Sequence, residues 1–472
     1  MNKSQKSFDQ TAYNLKKISY FITQPLIEVF YDLKNGTLPL VSILIVGCFF
    51  DVLLLTKFDA KIFQYFNIYF LYPKTSILYF FYIMSTVGSG FWIWGFLQAI
   101  KRKTILNKLT EAFTESELKS PMGKIPNLIF DKPVDELVRR LRVSNAFLPK
   151  AKFIEAKDRL ESTLQVFIDD IYENKAKGTI DILYSHYEMS KLVELNDLQS
   201  QAPHSFLVGQ TRAKTITSSL LQTPHLLIGG QTGGGKSTFL RQVITTLYCN
   251  NKNYNFTLID MKGGLEFQLF DNRDRIKVIS KSSEACDIFS RFDEILNQRF
   301  ELLKANQCKD ITEFNKLPVE NLKLPNKKLA IHSKLNFEIV VIDEAAELFL
   351  SGGKINMTQV QDLTRKAIRL AAQGRAVGIH LIVATQKPDS KAISSQIKAN
   401  LTGIISFPMA TLGASFSILG NGRAKALPAI SGRAIWKSGL DQFEVQTPYL
   451  STEQTTVELD KVSPIKNIDD ET

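Results

Sequence analysis

The stretch HLLIGGQTGGGKST, residues 225–238, decides the reading. It opens with an apolar run, Leu226, Leu227 and Ile228, short enough for a buried strand and bounded by glycine. Gly230, Gln231, Thr232, Gly233, Gly234, Gly235, Lys236, Ser237 and Thr238 follow, and they contain the pattern G-x-x-x-x-G-K-S. Behind them Phe239, Leu240, Val243, Ile244 and Leu247 recur at helical spacing. Strand, glycine-rich turn and helix in that order form a cradle for phosphate. Glycines let successive backbone N–H groups converge, and the helix adds the positive end of its dipole. Lys236 would reach the β- and γ-phosphates, and Ser237 would ligate Mg²⁺. ATP and Mg²⁺ are therefore the expected ligands. The bare pattern arises by chance fairly often, and the flanking strand and helix make this instance specific.

A second source of carboxylate is needed, and FEIVVIDE at residues 337–344 supplies it. A hydrophobic strand ends there in two acids. Asp343 suits a ligand to Mg²⁺ through water, and Glu344 suits the base that orients the attacking water. Taken alone, the pair reads equally well as solvated acids at a strand end. A third apolar run, IHLIVATQ at 379–386, ends in Thr385 and Gln386. Ligands bind at the carboxyl ends of parallel strands, so Gln386 is either a γ-phosphate sensor or a polar residue opening a loop. Further strands are expected at 256–260, 403–407 and 433–436. Strands alternating with helices imply an α/β fold with a mostly parallel, doubly wound sheet. The tetrapeptide LSGG at 350–353 opens like the ABC-transporter signature, but it follows the acidic strand instead of preceding it, so it reads as a turn.

The order and spacing of several blocks go further. These are PHLLIGGQTGGGKS at 224–237, LIDMKGGLEF at 258–267, VVIDEAAEL at 340–348, GRAVGIHLIVATQKPD at 374–389, IKANL at 397–401 and SGRAIW at 431–436. Residues 206–450 thereby resemble the FtsK/SpoIIIE family of DNA translocases. The resemblance implies a RecA-like P-loop NTPase domain that binds ATP through residues 230–238. It further implies Walker B acids at Asp343 and Glu344 and a sensor at Gln386. It implies a homo-hexameric ring with DNA in its central pore, each ATP site being closed by a neighbour's arginine. Arg375 and Arg369 match positions suited to that task, or are surface cations. The chromosome-segregating members carry a longer membrane part and a C-terminal winged-helix module. Only a short polar stretch follows Leu450 here, so the expectation shifts to the short, membrane-anchored members of conjugative elements.

The remainder of the chain fits that expectation. Of its 472 residues, 44% are hydrophobic and 22% charged, and the formal net charge is +11. Such a charge suits nucleic acid or an anionic membrane face, or merely a lysine-rich codon bias. The four cysteines, Cys48, Cys249, Cys286 and Cys308, form no CxxC pair, so neither a zinc site nor a disulfide framework is indicated. Residues 38–55 (LPLVSILIVGCFFDVLLL) and 76–100 (SILYFFYIMSTVGSGFWIWGFLQAI) approach or exceed the ~20 apolar residues of a spanning helix. They predict a transmembrane hairpin at 38–100, with Asp51 either functional or near a helix end. Lys3, Lys6, Lys16 and Lys17 before it, and Lys101, Arg102 and Lys103 after it, place both flanks in the cytoplasm. The expected layout is a cytoplasmic segment at 1–37, the hairpin, a mostly helical connecting subdomain at 101–205, the ATPase at 206–450 and a loose polar tail at 451–472. Within the connecting part Leu137, Leu141 and Val143, and Leu160, Leu164, Phe167 and Ile168, fall near helical spacing, and one strand is expected at 179–184.

The function so predicted is an ATP-driven DNA translocase of the bacterial inner membrane. It would move DNA during conjugative transfer, with a relaxase and channel proteins as partners. A protein-secretion ATPase on the same motor core and a chromosome-partition or cell-division translocase are the alternatives. A scaffold with a degenerate site is opposed by the intact Lys236, Ser237, Asp343 and Glu344.

Overall fold

The structure is a computed structural model that describes residues 74–195, 202–324, 334–350, 356–388, 393–439 and 441–463. Two compact units divide the chain. The smaller contains a 42-residue helix, α1 (Lys74–Glu115), whose last turns bury Leu109, Ala112 and Phe113. Residues 38–55 lie outside the described residues, and of 76–100 the side chains are described only in part. Among the described residues no helix is long and apolar enough to cross a membrane.

Beyond α1 come β1 (Leu128–Pro133), β2 (Arg139–Ser144), α2 (Lys150–Glu155), α3 (Lys157–Leu164), β3 (Phe167–Asn174) and β4 (Thr179–Ser185). Helix α1 packs on α3. The strands form one sheet in the order β1-β2-β4-β3. The mostly helical reading of 101–205 is therefore corrected, although the strand expected at 179–184 is present as β4. Leu141 and Val143 are two residues apart, and in β2 they alternate inward with half-buried neighbours. The run from Leu160 to Ile168 is split by Gln165, whose backbone is left-handed (φ 55°) and ends α3 before β3 begins.

The larger unit is built on a ten-stranded sheet. Its elements are β5 (Val193–Glu194), β6 (Ser205–Gln210), β7 (Thr215–Ser219), β8 (Leu226–Gly229), α4 (Lys236–Asn250), β9 (Tyr254–Ile259), β10 (Ile276–Ile279), α5 (Ser282–Ala305), β11 (Phe337–Ile342), α6 (Ala345–Phe349), α7 (Met357–Val377), β12 (Ile379–Thr385), α8 (Ser395–Asn400), β13 (Gly403–Ser406), α9 (Leu412–Leu419), β14 (Arg433–Ser438), β15 (Asp441–Gln446), β16 (Pro448–Tyr449) and α10 (Thr452–Val462). The sheet order is β10-β9-β11-β12-β8-β13-β14-β15-β6-β7. The first six strands run parallel, and from β13 onward each pair is antiparallel.

Every residue of β8 and of β12 is buried, which is why both read as continuous apolar runs. Successive side chains serve opposite faces. Leu381 and Val383 of β12 join one core with Phe289 and Leu296 of α5 and Leu363 and Leu370 of α7. Ile382 and Ala384 join the other with Phe239, Val243 and Leu247 of α4.

The loose tail expected after Leu450 is also corrected over residues 452–462. Ser451 and Gln454 form a reciprocal capping box that starts α10, and Leu459 is fully buried in the same core as α4. Arg273, itself buried, donates to the Asp460 carboxylate at 2.8 Å and to the Ser463 carbonyl at 2.6 Å.

Candidate active site

The carboxyl ends of β8, β12, β11 and β9 lie side by side because these strands are parallel neighbours. Each strand runs straight into one part of the site. After β8 the chain turns through the glycine-rich loop into α4. Gly235 has φ +113°, and a Cβ there would stand 2.9 Å from the Gly432 nitrogen, so only glycine fits. Gly432 in turn donates to the Gly234 carbonyl at 2.9 Å. The SGRAIW block is thus a buttress under the loop. No side chain caps α4, so its leading N–H groups are left for a ligand.

Lys236 opens α4 and is buried. Its ammonium donates to the Asp343 carboxylate at 2.7 Å and to the Asp343 carbonyl at 2.8 Å. Both side chains are only 5% exposed, so each cation and anion depends on the other. Glu344 follows and caps α6, accepting from the Ala346 N–H at 3.4 Å. Its carboxylate also accepts from the Thr385 hydroxyl at 2.7 Å and the Gln386 N–H at 3.0 Å. The Gln386 side-chain carbonyl accepts from the Thr232 hydroxyl at 2.9 Å. Gln386 therefore ties the tip of the loop to the second acid. Gln231 and Thr232 are exposed, Ser237 and Thr238 half-buried.

The residues present fit a nucleoside triphosphate with a magnesium ion. An uncapped helix end, a glycine-only turn and a buried lysine converge on one place. Among the described residues no group of three or more His, Cys, Asp or Glu side chains could hold a metal alone.

The two arginines are not brought to this place. Arg369 pairs with Asp293 at 2.6 Å and also donates to Asn297, both on α5. Arg375 is exposed on the last turn of α7, just before β12. The seven residues of β12 separate it from Gln386, about 20 Å at ~3.3 Å per residue. It cannot reach the Lys236 site of its own chain.

At that far end of the same strands sits a second polar group that the motif reading passed over. Pro224 has no N–H to extend the β8–β12 ladder. Side chains meet two other backbone groups there: His380 Nδ1 donates to the Pro224 carbonyl at 2.9 Å, and the Leu381 N–H donates to His225 Nδ1 at 3.0 Å. Both rings are buried. Burial, then the neighbouring His380 and Arg375 charges, holds His225 down to about 3, and burial foremost holds His380 down to about 4. Both are neutral at physiological pH. The signal for them was the histidine at or beside the start of each apolar run.

Comparison with known proteins gives this geometry a lineage. The model described as FtsK/SpoIIIE family matches residues 194–390. Residues 194–390 are an FtsK/SpoIIIE ATPase domain. The DNA translocase FtsK of Borreliella burgdorferi is 31% identical over 293 residues, covering 60% of this chain and 35% of that protein. The DNA translocase FtsK of Staphylococcus aureus is 30% identical over 246 residues, covering 51% of this chain and 30% of that one. The chain thus spans about a third of the length of these curated relatives. Among solved structures, the conjugation coupling protein TcpA of pCW3, a monomer with ATPγS, is 27% identical with a TM-score of 0.54. That match covers 76% of this chain and 99% of the solved TcpA chain. The FtsK/SpoIIIE domain found here is therefore the part of the chain that carries Lys236, Asp343, Glu344 and Gln386.

Proposed function

We propose that this chain is an ATP-driven DNA translocase, anchored in the bacterial inner membrane, that moves DNA during conjugative transfer. The observation that carries the reading is the buried Lys236–Asp343 pair beside Glu344 at the carboxyl ends of central parallel strands. A likeness that extends over nearly all of the solved chain of a conjugation coupling protein supports the finer assignment. The apolar stretches at 38–55 and 76–100 support the anchor, with the N-terminus and the ATPase domain in the cytoplasm.

Lys236 would exchange Asp343 for the β- and γ-phosphates. Ser237 and, through water, Asp343 would hold Mg²⁺, which neutralises phosphate charge. The Glu344 carboxylate would take the proton of the attacking water, and Gln386 would report the γ-phosphate to the loop through Thr232. Arg375 would serve a neighbouring subunit's ATP in a homo-hexameric ring, a reading supported by its exposure and its distance from its own site. Arg369, already paired with Asp293, is the weaker choice. DNA would pass through the ring toward a channel, with a relaxase as the delivering partner.

The test is ATP hydrolysis by the full-length protein in detergent, with single- and double-stranded DNA of random sequence at low and moderate salt. DNA should stimulate turnover, and the stimulation should weaken as salt rises because bound counterions are released. Stimulation by a folded protein substrate and by neither DNA would replace this reading with that of a secretion ATPase.

A further inference from the structure

The LIDMKGGLEF block also reaches the two acids. β9 lies beside β11, with Ile259 opposite Ile342, and the Asp343 N–H donates to the Ile259 carbonyl at 3.1 Å. The turn after β9 therefore emerges next to Asp343 and Glu344. It is a built turn. The Asp260 side chain is buried, and its carboxylate accepts from the Lys262 N–H at 2.8 Å and from the Glu266 N–H at 3.1 Å. Gly263 takes a left-handed backbone (φ +99°), and the buried Phe267 and Phe270 anchor the far end. The result directs Lys262 at the second acid: its ammonium stands 4.0 Å from the Glu344 carboxylate. Lys262 is 43% exposed and Glu344 only 6%.

We propose that Lys262 is a positioning residue for Glu344, a cation supplied by the turn after β9 that holds the carboxylate in place for hydrolysis. This rests on Glu344 acting as the base. Three neighbours already fix Glu344 from one side: the Thr385 hydroxyl, the Gln386 N–H and the Ala346 N–H. All three come from β11's own turn or from the end of β12. Lys262 approaches from the strand on the opposite flank, so the carboxylate is held between its two neighbouring strands. An ammonium on a flexible stem can do this without occupying a hydrogen-bonding position, which leaves carboxylate lone pairs for water. Lys236 cannot substitute, because its ammonium is already paired with Asp343.

The experiment is a double-mutant cycle on the full-length protein, reading kcat, KM for ATP and binding of a fluorescent ATP analogue. Lys262→Met should lower kcat roughly threefold to fivefold, the upper scale of a partly exposed charge pair, with analogue affinity and melting temperature unchanged. Lys262→Arg should restore most of the rate. In a Glu344→Gln background the same Lys262→Met change should alter the residual rate by less than about twofold. An unchanged kcat in Lys262→Met would overturn the proposal. So would weakened analogue binding that persists in the Glu344→Gln background, since Lys262 would then be touching phosphate. If Glu344→Gln itself hydrolyses at the normal rate, the base assignment fails. A slow Glu344→Gln protein beside a normal Lys262→Met protein sinks the Lys262 proposal alone.

Discussion

Strands β8 and β12 are neighbours along their whole shared length, yet their two ends hold opposite kinds of chemistry. At the carboxyl ends Lys236, Asp343, Glu344 and Gln386 are charged or polar groups, and Lys236 holds a side-chain partner, Asp343, that the proposed phosphate would replace. At the amino ends His225 and His380 are neutral, buried and bonded to backbone. The interior between them is apolar in both cases. The difference teaches that burial by itself does not mark a working site. A buried ion pair can exchange one partner for a phosphate, whereas a neutral ring bonded to backbone has nothing to exchange.

The sharpest way to break the comparison is Lys236→Ala. It should abolish hydrolysis and most ATP binding, because the phosphates lose their point charge. It also leaves Asp343 buried without a partner, so melting temperature should fall as well. Normal turnover would sink the assignment of the carboxyl-terminal end.

A smaller effect of a different kind is expected at the other end. His225→Ala or His380→Ala should cost about 1–3 kcal/mol of stability, since each strands a backbone group in the core. ATP affinity of the folded protein should stay unchanged. The sign with pH follows from the depressed values. The unfolded chain binds protons near the ordinary histidine value of about 6.5, while the folded rings resist them to about 3 and about 4. This contribution is complete above about pH 6.5 and is lost as pH falls below it toward those folded values. A melting curve series from about pH 7.5 to about pH 5, across the ordinary histidine range, should show a slope that His225→Gln with His380→Gln flattens. An unaltered slope would mean that other groups set it.

The smallest change should come from Thr232→Val, which removes the hydroxyl that reaches Gln386. A net hydrogen bond of about 0.5–1.5 kcal/mol corresponds to a roughly twofold to tenfold loss of kcat. A loss confined to KM would place Thr232 on ATP binding alone.

The carboxyl-terminal end was legible in the sequence because its signals are local. Leu226 to Lys236 is a strand, a turn and a helix start written consecutively, and Asp343 and Glu344 close an apolar run. The partnerships were not legible. Lys236 meets Asp343 only because the sheet order places β12 and β11 beside β8, and the Pro224–His380 clasp depends on the same interleaving. The sheet at 128–185 was missed because Leu141 and Val143 fit a strand only once their neighbours are known to be outward. The helix at 452–462 was missed because overall polarity hid Thr455 and Leu459 at four-residue spacing behind the Ser451 cap.

That last helix bears on how the protein is made. Helix α10 lies on α4, whose first residue is Lys236, with the Cys249 thiol directed at the Glu458 carbonyl and Arg241 donating to that of Leu450. Strand β16 likewise pairs with β5, which precedes the whole ATPase sheet. On the ribosome, then, the phosphate loop is synthesised long before the surface that supports it from behind. Until Leu459 has cleared the exit tunnel, the face of α4 that packs on α10 lacks that helix's cover. A nascent chain halted earlier would carry the full set of nucleotide motifs on a helix still open to chaperones and proteases.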